Sequence, residues 1–204
     1  MKTLLNLYRP AHNALNFTRA GDWLAPLLLR FYLAPVLIQA GWNKLAHFDD
    51  TVAWFGDPDW GLGMPMPELM AGLAASTEFV GGIFLIFGFA IRWISIPLMF
   101  TMLVAAFAVH WENGWLAISD ASSWLANERV MDAAERLEAA KSILQEHGHY
   151  GWLTGKGTIT ILNNGIEFAI TYFIMLLSLF FTGGGRYVSL DYWLARQYGY
   201  LNNK

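Results

Sequence analysis

The stretch MAGLAASTEFVGGIFLIFGFA, residues 70–90, decides the fold. It carries one ionisable side chain, Glu78, and lacks the polar stripe that a water-facing helix shows every three or four positions. At a rise of about 1.5 Å per residue it matches a hydrocarbon layer of about 30 Å. Working outward, residues 24–45, 93–109 and 165–182 repeat the pattern. Hydrocarbon offers no partner to a free peptide group, so such segments cross it as helices. The sequence therefore predicts an all-α membrane protein, a single membrane domain over residues 1–204 built as a four-transmembrane-helix bundle.

The whole composition agrees. Of the 204 residues 55% are apolar and 14% charged, against roughly 25% charged in an average globular protein. Ten tryptophans and fourteen phenylalanines suit the lipid interface. A net charge of -3 and the lack of a basic run exclude nucleic acid as a partner. With no cysteine, disulfides, thiolate metal sites, iron–sulfur ligation and dithiol exchange are excluded too. A redox role would need a bound cofactor, a quinone or a partner protein.

Charge sets the expected orientation. Lys2, Arg9 and Arg19 precede the first span, Arg92 separates the second from the third, and Arg186, Arg196 and Lys204 follow the fourth. The first connection holds Asp49, Asp50, Asp57 and Asp59, and the third holds seven acids against four bases. The positive-inside rule then places both termini in the cytoplasm, which for a bacterial chain means an inner-membrane protein with both long connections in the periplasm. Leu4, Leu5, Leu7, Tyr8, Leu15 and Phe17 are expected to form a segment lying on the membrane surface. Residues 1–23 lack the apolar core and cleavage site of a secretory signal.

Within the third connection, Asn127 is a helix cap and Gly148 a stop. The insert over about residues 120–150 is expected to be an external amphipathic helix between spans three and four. Val130, Ala134, Leu137, Ala140 and Leu144 would share one face, and Asp132 and Arg136 would pair. It would serve either as a lid or partner-docking surface, or as a cover.

Ionisable groups at membrane depth are costly, so they face the bundle and find partners. Arg30, Lys44, Glu78, His110 and Glu167 are the candidates. Arg30 lies roughly 9 Å into the first span by helical rise, and Glu78 near the middle of the second, so an Arg30–Glu78 pair is expected. Lys44, His110 and Glu167 would surround a polar pocket with Asn163 and Asn164 at its rim. Ion pairs that merely fix helix facing, and snorkelling of Lys44, are the alternatives. Gln39 is read as an interhelical hydrogen bond. Met64, Met66 and Met70 offer thioethers and His147 and His149 offer imidazoles to a copper ion, though thioethers at an interface more often pack than ligate. Gly81 and Gly82 read as close helix approach.

In order along the chain, Arg30, Gly41-Trp42-Asn43-Lys44-Leu45, Met64-Pro65-Met66-Pro67, Glu78-Phe79-Val80-Gly81-Gly82 with Leu85 and Gly88, then Arg92, Met102 and His110 resemble the DoxX family of small bacterial membrane proteins. The likeness covers roughly residues 24–115 and extends through the fourth span; the long third connection and the C-terminal tail depart from it. The resemblance implies a four-helix inner-membrane protein associated with redox and sulfur metabolism, whose relatives are linked to thiosulfate oxidation with quinone as acceptor and to complexes with superoxide dismutase and a sulfurtransferase. Residues 163–167 and 183–187 are similar to a longer branch that accompanies maturation of copper-binding modified peptides. Arg30, Lys44, Glu78 and His110 carry over as site candidates.

Two functions follow as expectations: a redox-associated component working with partner proteins and quinone, or a non-enzymatic accessory in maturation or export of copper-binding peptides. Solute transport has less support, because four spans show no internal repeat. Small residues on the helix faces serve either packing within the bundle or a homo-oligomer.

Overall fold

The computed structural model describes residue 12 and residues 15–199, and most of these lie in helices. The helices are α1 (Leu24–Ala46), α2 (Phe48–Gly56), α3 (Pro67–Phe87), α4 (Ile91–Val104), α5 (Glu128–His147), α6 (Tyr150–Leu153), α7 (Glu167–Thr182) and α8 (Leu190–Gln197). A π-helical turn, Ala105–Val109, continues α4. Residues 4–8 of the expected surface segment lie outside the described residues; Leu15 and Phe17 are exposed.

Three helical segments are long and apolar enough to cross a membrane: Leu24–Ala46, Pro67–Phe87 and Ile91–Val109. The fourth apolar helix, α7, has 16 residues and a length of about 24 Å, short of a hydrocarbon layer of about 30 Å. The second span is displaced from the expected 70–90. Pro67 starts it, as proline at the first helical position loses no hydrogen bond. Gly88, at φ 66°, ends it before Phe89 and Ala90.

The chain divides into two compact units, one of residues 1–99 and 174–204 and one of residues 100–173. In the first, α1 and α3 approach closely at two glycines. A Cβ on Gly41 would lie 2.4 Å from the Phe79 nitrogen, and one on Gly82 would meet Ile38 and the Ala34 carbonyl. Gly81, a step of about 100° round the same helix, receives Leu98 of α4 instead. The glycine pair thus gives α3 two close neighbours. This is the close approach predicted for Gly81 and Gly82, and it suits lipid, where van der Waals packing and not hydrophobic burial holds helices together.

The α3–α4 turn is clasped by the C-terminal segment. Ala90 sits at φ 51°, a left-handed conformation that costs a non-glycine residue energy. The Asp191 carboxylate holds it there, accepting the N–H of Ala90 at 2.6 Å and of Ile91 at 2.8 Å. These are orphan donors at the start of α4, so Asp191 caps that helix from a distant point in the chain. Asp191→Ala is expected to cost about 1–2 kcal/mol, the usual value of a lost helix cap, measured as a lowered melting temperature in detergent. The helix α8 itself, capped by the Ser189 hydroxyl, goes unpredicted by the sequence reading.

In the second unit, α5 begins at the expected cap, with Asn127 Oδ1 accepting the Val130 N–H at 3.0 Å, and ends before Gly148. Val130 is buried and Ala134, Leu137 and Leu144 are half-buried, but Ala140 is exposed. Asp132 and Arg136 form no ion pair, which corrects the i,i+4 expectation. Both are exposed, and a pair there gains little over hydration. An isolated antiparallel bridge joins Ile118 to Leu162.

Candidate functional site

Arg30 and Glu78 are both buried, at 1% and 6% exposure, but they do not pair. Arg30 lies at the end of its unit where α3 stops. Its Nε donates to the Leu85 carbonyl at 2.7 Å and its Nη2 to Ile86 at 2.8 Å. Its Nη1 donates to Gly184 at 2.6 Å and to Val188 at 3.2 Å. The last carbonyls of a helix have no intrahelical partner and carry its negative dipole end, so they make a ready cation site. The guanidinium fork fits the Leu85 and Ile86 carbonyls and those of Gly184 and Val188 together, four acceptors where one carboxylate would leave donors unused. The expected pairing failed because it weighed charge and depth and left out the open carbonyls at the α3 terminus.

Glu78 pairs with Lys44. The Lys44 Nζ donates to Glu78 Oε2 at 2.5 Å, with the lysine side chain 27% exposed and the carboxylate 7%. The packing explains the contact. Gly41 lies one turn before Lys44 and touches the backbone of Ala75 and Phe79, which flank Glu78. Bringing the axes together there puts the lysine stem beside the carboxylate, and Trp42 lies against Phe79 with ring centroids 5.9 Å apart. The Gly-Trp-Asn-Lys segment is thus a glycine contact followed by the cation that the contact delivers. Gln39, by contrast, is exposed and has no hydrogen bond among the described residues. It faces outward from α1, so the interhelical bond expected of it does not form.

The second unit gathers other candidates at the start of α7. Asn163 is buried and donates to the carbonyls of Asn113 at 2.8 Å and Leu116 at 2.6 Å. Glu167 Oε2 accepts the Ala117 N–H at 2.9 Å, so this carboxylate ties down a loop. Asn164 takes a left-handed turn at φ 59°. His110 follows the π-helical turn and has a buried Nδ1 without a partner, one of two such side-chain atoms among the described residues; the other is Ser119 Oγ. Burial holds the His110 imidazole below its ordinary value, opposed by a hydrogen bond with the Asn164 backbone. Lys44 belongs to the first unit, whereas His110, Asn163, Asn164 and Glu167 belong to the second.

Of the expected copper ligands, Met64 and Met70 are half-buried. Met66 and both His147 and His149 are exposed, and Met66 caps α3 in a left-handed conformation. Among the described residues no three His, Cys, Asp or Glu side chains converge on one point.

Comparison with known proteins agrees with the motifs in the first half of the chain. The family model described as DoxX matches residues 25–111. No curated protein matches the chain, and no solved structure does.

Proposed function

We propose that the chain, whose residues 25–111 form a DoxX-family domain, is a redox-associated membrane component in which Glu78 handles a proton beside a quinone headgroup. The observation that carries this reading is the Lys44–Glu78 pair, a carboxylate and an ammonium in contact on two membrane-spanning helices. Quinone reduction consumes protons inside the membrane, and a carboxylate at that depth is the group to relay them. Lys44, the more exposed partner, holds the carboxylate's charge while the proton is absent. Arg30 is structural.

Arg92 and Arg186 lie at the Arg30 end of the first unit, and the acidic residues 49–59 follow the opposite end of α1. We take the Arg30 end as the cytoplasmic side of a bacterial inner membrane, with both termini in the cytoplasm, and α7 as a fourth, short span. With thiosulfate as electron donor, two thiosulfate ions joining as tetrathionate while quinone takes their two electrons together with two protons, purified protein with its partner proteins is expected to form quinol from a soluble quinone, and Glu78→Gln to lower that rate at least tenfold. An unchanged rate would refute the role of Glu78.

The second reading is a non-enzymatic accessory to maturation or export of copper-binding peptides. It is favoured by exposed apolar groups on the second unit, with Trp124 at 91% and Trp152 at 80% exposure. Deleting α5 would then abolish capture of a partner while membrane insertion persists.

A further inference from the structure

In the second unit, a surface pocket of about 370 Å³ opens between one face of α5 and the strand-like segment around Leu162. Arg129, Asp132 and Arg136 line it from the helix, at spacings that place all three on one side. Ser119 and Asn163 face them, and Ile161 and Leu162 supply an apolar wall. The far wall is fixed, because the Ser119 N–H bonds the Ile161 carbonyl at 3.0 Å beside the Ile118–Leu162 bridge.

The pocket holds hydrogen-bond donors without partners. Arg129 is oriented through its Nε, which donates to Asn163 Oδ1 at 3.2 Å, and that leaves its terminal nitrogens free. Arg136 forms no hydrogen bond or ion pair among the described residues. The Ser119 hydroxyl is buried and unpartnered, and a buried hydroxyl left so is costly. Asp132 stands between the two arginines without pairing with either, and it leaves the pocket one net positive charge. Two guanidiniums favour a planar oxyanion, while the carboxylate repels a multiply charged one. The apolar wall asks for a carbon body.

We propose that this pocket binds a small organic monocarboxylate, its carboxylate on Arg129 and Arg136 and its alkyl part against Ile161 and Leu162. Nothing in the proposed quinone chemistry requires this site.

The test uses the intact protein in detergent and hexanoate as the probe. Phenylglyoxal modifies free guanidiniums, and mass spectrometry reads the modification rate at Arg136. Millimolar hexanoate is expected to slow that rate at least fivefold, while chloride at equal ionic strength leaves it unchanged. Arg129→Gln is expected to remove the protection, and calorimetry on Arg136→Gln to show hexanoate binding weakened at least tenfold. Equal protection by chloride would overturn the proposal, as would full protection in Arg129→Gln. Inorganic phosphate protecting as well as hexanoate would also overturn it, since the apolar wall and Asp132 would then have no part in recognition. The wild-type measurement stands even where a variant folds poorly.

Discussion

Replacing Arg30 with leucine is expected to leave little folded protein in the membrane fraction. Four carbonyl oxygens take their hydrogen bonds from this one side chain. An abandoned buried acceptor costs at least about 1 kcal/mol, so the loss is about 4 kcal/mol, a large share of the 5–15 kcal/mol that holds an ordinary domain together. Leucine fills the volume and supplies no donor. Arg30→Lys keeps the charge but brings three donors on one nitrogen, which cannot reach acceptors spread across the α3 terminus and the 184–188 turn at once. It is expected to recover less than half of the loss. Fluorescence-detected gel filtration of each variant after a temperature ramp checks the order: wild type, then lysine, then leucine. A leucine variant as stable as wild type would show that water, not Arg30, satisfies those carbonyls.

The second large effect is a non-additive one. Lys44→Met strands the Glu78 carboxylate in a dry helix interface. Removing one member of a buried ion pair costs about 3–5 kcal/mol, because the other charge is left uncompensated. Adding Glu78→Leu to that variant is expected to restore most of the loss, since two apolar groups can replace a buried pair at little cost. The double-mutant cycle over melting temperatures tests this. Simple additivity of the two substitutions would show that the pair is solvated. The same double variant is expected to make no quinol, which separates what the pair does for stability from what it does for chemistry.

Much of this was legible in the sequence, and the failures have a common cause. Residues 70–90 declare a membrane helix because no polar stripe interrupts them, and Asn127 declares the start of α5 because its side chain can reach back to a free N–H. Gly81 and Gly82 announce close packing, though not that adjacent glycines serve different neighbours. The five ionisable candidates were found by the expense of burying them. Their partners were not, because depth along a helix says nothing of the direction a side chain points. Arg30 was matched to a carboxylate when its acceptors are backbone carbonyls, which every residue possesses and no pattern advertises. Lys44 reaches Glu78 only because Gly41 lets two backbones touch. Asp191 offered no signal: its targets lie a hundred residues away, and its helix is too short and mixed to carry a membrane pattern. The length of α7 shows the opposite limit, as apolar composition ran past the point where Glu167 turns back to hold the Ala117 loop.

The clasp around Arg30 has a consequence for biosynthesis. Two of its acceptors, Gly184 and Val188, are translated more than 150 residues after it. At about 5–20 residues per second, the ribosome needs roughly 8–30 s to supply them. Through that interval the nascent first helix carries a cation whose coordination is incomplete, a recognisable flag for chaperones and membrane proteases. A chain broken off before Gly184 would keep that flag permanently. Synthesis of residues 184–188 and escape from degradation are thus linked by a single side chain.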